Sequence, residues 1–526
     1  MSKTKSANAF HPLVAGLARQ LAEAQLPGDG DLAGDALNDA AAFLLDTAAT
    51  RAPRQTALAM TSATRESADG GRGRYMRIAV VNEDMPFLVD SIATTVSAHG
   101  LVIDRLIHPV VGALRDGKGA LTALPDEDAP GTPRESMVYL ETGRVDARTR
   151  AALSAALMVT LEDVRAAVAD WPQMQVAMED DAAKLNTMER TEGAALLRWF
   201  KDGMLTQLGH VTRHRDGSQT GALGICRQST PDLLSPAGYD RTFAWFDAFL
   251  AKGGAGRLPL MVKSNHIAHV HRRVPLDLFI VPVIEEARVV ALSVHAGVRT
   301  SAALAAPPAQ VPLMRAQMAS LMAKFEFSAT GHAGKALAHA LTSLPHDQLI
   351  AFPDADLERV ALAMMSLIDR PRPRLALVTA PLDRHLFAFV WLPRDAVATG
   401  VRVEVARMLG AAAGAAVIDW SLAVEGSDLA QLRFILAMDE GDEPKKPDEA
   451  ALDAALRAML RGWGDAVEAE IALHEEAGRA AAIAARYAVR SIPSMILFRG
   501  GKELARQSGA MPAGSIVSWA RQALNS

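Results

Sequence analysis

The 526-residue chain contains a single cysteine, Cys226. One thiol closes no internal disulfide and provides no nucleophile with a resolving partner, and such sparse use of cysteine fits a reducing compartment. In "LGICRQ" Cys226 reads as a small strand residue, because neither a base nor a helix N-terminus can be placed beside its sulfur. An excess of charge of one sign is missing as well. The 55 basic and 60 acidic residues leave a net charge of −5 spread along the chain, which argues against nucleic acid and membrane as partners. No apolar run has the length of a membrane span, and "LDLFIVPVI" is strand-sized. The opening "MSKTKSANAFHPLVAGLARQLAEAQ" has two lysines but no signal-like apolar core followed by a small-residue cleavage site, so a cytoplasmic location is expected. Also missing is a strand, G-x-G-x-x-G/A and helix with a following acidic residue, the fingerprint of a dinucleotide fold. "KGGAGRLP" (Lys252–Pro259) leads into a proline-containing strand and reads as a loop, and "GAAAGAA" (Gly410–Ala416) reads as a helix end.

What is present is an ordinary soluble composition, half hydrophobic and 22% charged, on a chain long enough for three or four domains. Residues 12–50 carry helical periodicity and precede a Gly/Arg/Ser loop, "SATRESADGGRGR". A strand at Tyr75–Val81, a helix over about Phe87–His99 and a strand from Leu101 follow. Asn82 and Asp84 suit turn and cap geometry, Pro86 suits the first helical turn, and Gly100 supplies the left-handed helix stop. The strand "SMVYLET" and a helix over Asp146–Val168 complete a β-α-β-β-α order, which implies helices on one face of an antiparallel sheet. The fold class expected is therefore α+β and multidomain. A first module spans 71–190 after an N-terminal helical segment and loop (1–70). A second α+β unit (191–312) has a hairpin at Asp216-Gly217, and a helical connector (313–372) is broken at Gly331 and Pro345. A β-β-α-β-β module (373–440), a linker with a helix (441–487) and a tail (488–526) complete the chain.

The loop and helix "NEDMPFLVDSIATTVSAHGLVI" resemble the ACT-domain pattern, in which a D-x-P-x-L word opens the first helix and G-(L)-x-I opens the next strand. That resemblance implies an amino-acid effector at Asn82, Asp84, Met85, Pro86, Phe87 and Gly100. Backbone N–H groups at a helix start attract a carboxylate, and Asp84 suits an amino group. The structural alternative is that Asp84 only caps the helix and Pro86 only starts it. With "DVRAAVADW", "GHAGKALAHALTSLPHDQLI", residues 377–395 and "GWGDAVEAEI", the chain over about residues 70–487 resembles the N-terminal, ACT-like region of the large bacterial NAD-specific glutamate dehydrogenases. The resemblance implies a family that oxidatively deaminates L-glutamate with NAD, forms homo-oligomers, and carries its dehydrogenase domain beyond this region. No Lys/Asp pair in a Gly-rich context stands out as a site for deprotonating glutamate's amine. The chain is expected to bind no cofactor itself, to carry no catalytic residue, and to act in regulation, assembly or association with a dehydrogenase domain.

The remaining signals are weaker. "NHIAHVHRR" holds His266, His269 and His271; on a strand His269 and His271 would share a face, but no carboxylate or cysteine completes a ligand set, so no metal site is expected. A basic strand, with Lys263, Arg272 and Arg273 available to an anion or a neighbouring subunit, is the other reading. "GHAGKAL" (Gly331–Leu337) departs from a P-loop and reads as a helix start. Residues from about 484 to 526 resemble the C-terminal part of a thioredoxin, with Pro493 as the expected cis-proline and a hairpin at Gly500-Gly501. The W-C-x-x-C half of that fold is absent, and "ARYA" suits both families as a junction in a chimeric reading frame. A thioredoxin-fold oxidoreductase or holdase, and a free-standing amino-acid-sensing ACT protein, are the alternative functions.

Overall fold

A computed structural model describes residues 11–27, 32–66, 72–125, 131–254, 256–368, 370–424, 428–438, 447–460, 487, 494–509, 511 and 513–525. The chain forms two compact units. The first holds residues 1–365, 378–386 and 437–442, and the second holds 366–377, 387–436 and 443–526.

The first unit opens with α1 (His11–Glu23) and α2 (Gly34–Ala48), then β1 (Ala57–Glu66) and β2 (Arg72–Glu83). The Ser62–Glu66 stretch, expected as loop, is strand: Ala57↔Val81 through Glu66↔Arg72 pair in unbroken antiparallel register. Small and polar residues give this stretch no apolar periodicity to read, and it is β2 that supplies the hydrogen-bonded ladder. Next come α3 (Leu88–Ala98), β3 (Ile103–Ile107), β4 (Val110–Gly112), β5 (Leu114–Arg115), β6 (Leu121–Ala123) and β7 (Arg134–Gly143). The first sheet runs β1-β2-β7-β3, with β4 also on β7.

This sheet is covered on both faces, not on one as the element order implied. Ala79, Val81, Met137 and Tyr139 pack under Leu17, Leu21, Leu44 and Leu45 of α1 and α2. Each such leucine contributes roughly 1.5–3 kcal/mol when fully buried. Met76, Ile78, Val80, Val138 and Leu140, of the other parity, are buried too. The helix on that side, α4 (Ala147–Thr187), is capped by Asp146, whose carboxylate accepts from the Thr149 N–H. It does not stop at Val168. It passes through Pro172 and continues a buried stripe of Met174, Met178, Ala182 and Leu185. A proline inside a helix removes one hydrogen bond, and this apolar stripe outweighs it.

After α5 (Thr191–Trp199) the second sheet uses β8 (Leu205–His214), β9 (Gln219–Gly224), β10 (Leu260–Ile267), β11 (Pro275–Glu285) and β12 (Arg288–Arg299), in the order β10-β11-β12-β8-β9. The expected hairpin turns at Gly217 (φ 90°), where the Ser218 N–H donates to the Asp216 carboxylate at 2.8 Å. Cys226 lies one turn past β9 in a 3-10 segment, not in a strand, and burial pushes its thiol up to about 12, so it is an inert packing residue. Helix α6 (Pro236–Ala251) separates β9 from β10, and α7 (Ser301–Ala305) follows β12. The connector is α8 (Met314–Lys324), α9 (His332–Ser343), α10 (His346–Leu349) and α11 (Asp354–Ile368), interrupted at Gly331 and Pro345 as expected. Gly334 explains "GHAGKAL": a Cβ there would overlap the Ser328 carbonyl, so the glycine serves helix packing.

Apart from residues 378–386 and 437, which belong to the first unit, the second unit is built on β13 (Arg374–Thr379), β14 (His385–Pro393), α12 (Thr399–Ala413), β15 (Ala416–Val424) and β16 (Leu429–Ala437), with sheet order β13-β14-β16-β15. Helix α13 (Glu449–Met459) closes the β13 edge: Leu375 N–H donates to Asp453 and Leu377 N–H to Glu449, each at 2.8 Å. Beyond it, β17 (Ser494–Arg499) and β18 (Lys502–Ser508) form a hairpin across Gly500 and Gly501, followed by α14 (Ala513–Asn525). Pro493 and the helix expected over 461–486 lie outside the described residues; among those described, the cis X-Pro bond is Leu258-Pro259. Among the described residues no helix is long and apolar enough to cross a membrane.

Candidate functional site

The loop from β2 to α3 is tied down by its own side chains. Asn82 is buried: its amide oxygen accepts from the Thr56 hydroxyl (2.9 Å) and from the Arg165 guanidinium, and its nitrogen donates to the Glu83 carbonyl (2.9 Å). Asp84 does not cap α3. Its carboxylate accepts the Ser136 hydroxyl at 2.7 Å and its N–H donates to the Arg134 carbonyl, which fastens the loop to β7. Pro86 precedes the helix instead of starting it, and the residue at the helix boundary is Phe87, left-handed at φ 72° and without a side-chain cap. Met85 is half-buried. Gly100 (φ 73°) ends α3, and an eleven-residue helix, about 16 Å long, separates it from the loop.

A left-handed phenylalanine costs roughly 1–2 kcal/mol, and its partner explains how it is held. His271 is left-handed too (φ 65°), and the two rings lie 5.1 Å apart. The His271 N–H donates to Ser91 Oγ at 2.8 Å, and its Nδ1 lies 3.1 Å from the Asp90 carboxylate. Two residues earlier, His269 Nε2 meets Asp163 Oδ2 at 2.5 Å, and the Ser229 hydroxyl donates to the same oxygen. "AHVHRRV" is thus a loop after β10, and His269 and His271 do not share a strand face. Each takes a carboxylate from a helix more than a hundred residues earlier, which spacing in the sequence could not reveal. Lys263 is buried in an ion pair with Asp277 (2.8 Å) and offers nothing to an external anion. Arg272 donates to the Arg299 carbonyl, while His266 and Arg273 are exposed.

Pro86, Phe87 and His271 form one wall of a cavity of about 450 Å³. Ala167, Val168 and Trp171 of α4 form the second wall, and Leu205, Thr206 and Gln207 of β8 the third, with Gly203 and Thr300 at the margin. A largely apolar and aromatic cavity with one amide and two hydroxyls has the character of a small-molecule site. Of the six residues expected from the sequence, Pro86 and Phe87 line it. Ala167, Val168 and Trp171 lie in "DVRAAVADW", a word of the family resemblance with no site attached to it, and Gln207 gave no sequence signal; each joins the cavity only when α4 and β8 meet.

Behind Gln207 lies a buried polar network. Its Nε2 is 3.1 Å from His295 Nδ1, and His295 Nε2 is 2.8 Å from Asp181 Oδ2. Lys184 donates to Asp181 Oδ1 at 2.7 Å. His210 stands directly across the β8–β12 ladder from His295, with ring centroids 4.7 Å apart and its Nε2 3.0 Å from Ser293 Oγ. Burial, reinforced by His295, pushes His210 down to about 3 against the pull of Asp181. Burial alone would raise the Asp181 carboxyl; the hydrogen bond and electrostatic pull of His295, with Lys184, hold it well below the usual carboxylate range. A histidine in the apolar words "LGHVTR" and "LSVHAG" is the trace this network leaves in the sequence.

Residues 26–157 match the family model of the glutamate dehydrogenase ACT1 domain, 311–370 that of glutamate dehydrogenase helical motif 1, and 374–464 that of the glutamate dehydrogenase ACT2 domain. The chain is 27% identical over 425 residues to the NAD-specific glutamate dehydrogenase of Halomonas elongata and 28% identical over 422 residues to that of Pseudomonas aeruginosa. It is 21% identical over 446 residues to that of Mycobacterium tuberculosis. These alignments cover 75%, 75% and 79% of this chain and 26%, 25% and 26% of the relatives, so the chain spans about a quarter of their length. The cavity's Gln207, His271 and Thr300 fall between the segments that the ACT1 and helical-motif models match.

Proposed function

We propose that this chain, with its glutamate dehydrogenase ACT1, helical-motif and ACT2 segments, is the N-terminal regulatory and assembly region of a large NAD-dependent glutamate dehydrogenase. The reaction regulated is oxidation of L-glutamate by NAD to 2-oxoglutarate and ammonia, with NAD bound by the dehydrogenase domain rather than by these residues. The observation that carries the reading is the cavity in which Pro86 and Phe87 of the ACT1 loop face Trp171 and Gln207. An amino acid with an apolar or aromatic side chain suits it: the side chain packs between Phe87 and Trp171, and Gln207, Thr206 and Thr300 meet the polar end. Binding there ties the ACT1 loop to β8, so an effector would change the stability of their junction. Homo-oligomerisation and association with a dehydrogenase domain belong to the same reading.

Thermal unfolding of the full chain against each of the twenty amino acids at millimolar concentration tests it. A ligand at a hundred times its Kd stabilises by about 2.7 kcal/mol. We expect selective stabilisation that Phe87→Ala and Gln207→Ala remove. Equal shifts with all twenty, or a shift that survives both substitutions, would count against the site. Glutamate-dependent reduction of NAD by the purified chain would overturn the assignment of a regulatory role alone.

The same proposal takes the β17–β18 hairpin and α14 as a thioredoxin-like appendage. The turn at Gly500 and Gly501 followed by a terminal helix supports that reading. Sequencing the native transcript across the codons for Arg486–Arg490 tests whether the two parts share one frame.

A further inference from the structure

The polar network behind the cavity contains more chemistry than positioning Gln207 requires. The ladder between β8 and β12 sets His210 directly opposite His295, so both imidazoles project from one face of the sheet. Across that face α4 presents Asp181. The three residues are 6%, 0% and 1% exposed, and one ligand atom from each lies within 4.8 Å of the other two. Two imidazoles and a carboxylate make a zinc-type donor set with a fourth position left for water. Both imidazoles have a partner on Nδ1, as oriented metal ligands do: the Gly221 carbonyl lies 3.3 Å from His210 Nδ1, which leaves Nε2 beside Ser293 Oγ, and the Gln207 amide lies 3.1 Å from His295 Nδ1, which leaves Nε2 beside Asp181.

We propose that Asp181, His210 and His295 bind one divalent transition-metal ion of the zinc class. Zinc bonds of about 2.0–2.1 Å bring donor atoms to roughly 3.3 Å of one another, so binding draws the three side chains inward. As the ion enters, the ring proton of His295 passes from Nε2 to Nδ1 and the Gln207 amide turns its oxygen to accept it, which frees Nε2 as a neutral ligand. Lys184, on the other carboxylate oxygen, opposes the ion by charge, and it is half exposed and free to swing into water.

The full chain, stripped with a chelator and dialysed, is titrated with zinc(II), with cobalt(II) as the spectroscopic probe. We expect one ion per chain by elemental analysis, visible d–d absorption of low-symmetry cobalt, and a rise in Tm with zinc. Asp181→Asn and His295→Ala should each weaken binding at least tenfold, and Lys184→Gln should strengthen it. Gln207→Ala, a milder change, should lower affinity while the chain stays folded, which separates loss of binding from loss of fold. The double substitution His269→Gln, His271→Gln should leave binding unchanged. No bound ion and no cobalt spectrum in the native chain would overturn the proposal, as would binding lost on changing His269 and His271 but retained in Asp181→Asn.

Discussion

Lowering the pH from 7 to 5 should destabilise the first unit chiefly through buried histidines, and His385 is the sharpest case. Its side chain is fully buried, and neither ring nitrogen has a hydrogen-bond partner among the described residues. Burial, with the nearby cations Arg384 and Lys263, pushes it down to about 3 from 6.5. The folded value lies below the unfolded one, so the unfolded chain takes up the proton first. The stabilisation is complete above about pH 6.5 and is lost as the pH falls toward 3. At 1.36 kcal/mol per unit, the difference between pH 7 and pH 5 comes to about 2 kcal/mol for this residue. His385→Leu removes the titration and also an unsatisfied polar ring, whose burial costs about 1–3 kcal/mol. The variant should therefore be at least as stable as the parent at pH 7 and lose about 2 kcal/mol less on acidification. Urea unfolding at pH 7, 6 and 5, followed by tryptophan fluorescence at constant m-value, reads both quantities. Parallel pH profiles for parent and variant, agreeing within about 0.5 kcal/mol, would refute the argument.

Asp163→Ala should destabilise the first unit by about 3–5 kcal/mol, since removal of one buried charge strands its partners; His269 and the Ser229 hydroxyl both bind that carboxylate, and hydrogen exchange should rise first in residues 265–274. Gly334→Ala should lower Tm sharply through overlap with the Ser328 carbonyl, whereas Gly400→Ala, with open space around its Cβ in α12, should raise stability by about 0.5–1 kcal/mol. Cys226 should react with a thiol reagent at pH 8 only as fast as the unit unfolds, because its buried thiol sits near 12; rapid labelling of the native chain would contradict its placement beside Gly209.

Local chemistry made much of the fold legible. Gly217, Gly331 and Pro345 interrupt the chain where turns and helix starts occur, and the β-β-α-β-β order of residues 374–437 follows from apolar runs bounded by such breakers. Two misreadings share one cause, that packing overrode a local signal. Pro172 would end an isolated helix, yet α4 continues because Met174, Met178 and Leu185 have a surface to bury against. The small polar residues of β1 resemble a loop until β2 supplies their hydrogen bonds.

The site divides the same way. From the sequence alone came a chain of α+β modules without a disulfide or a dinucleotide fingerprint, and a loop at Asn82–Phe87 worth watching. These rest on composition, breakers and periodicity, which act over a few residues. The tertiary structure alone turned Asp84 away from the helix it was expected to cap and seated Phe87 against His271. It alone brought Trp171 and Gln207 to the same cavity, and Asp181, His210 and His295 to one buried cluster. Those residues are tens to more than a hundred positions apart. Side-chain direction at each is set by strand register and helix phase, which exist only once the elements have packed.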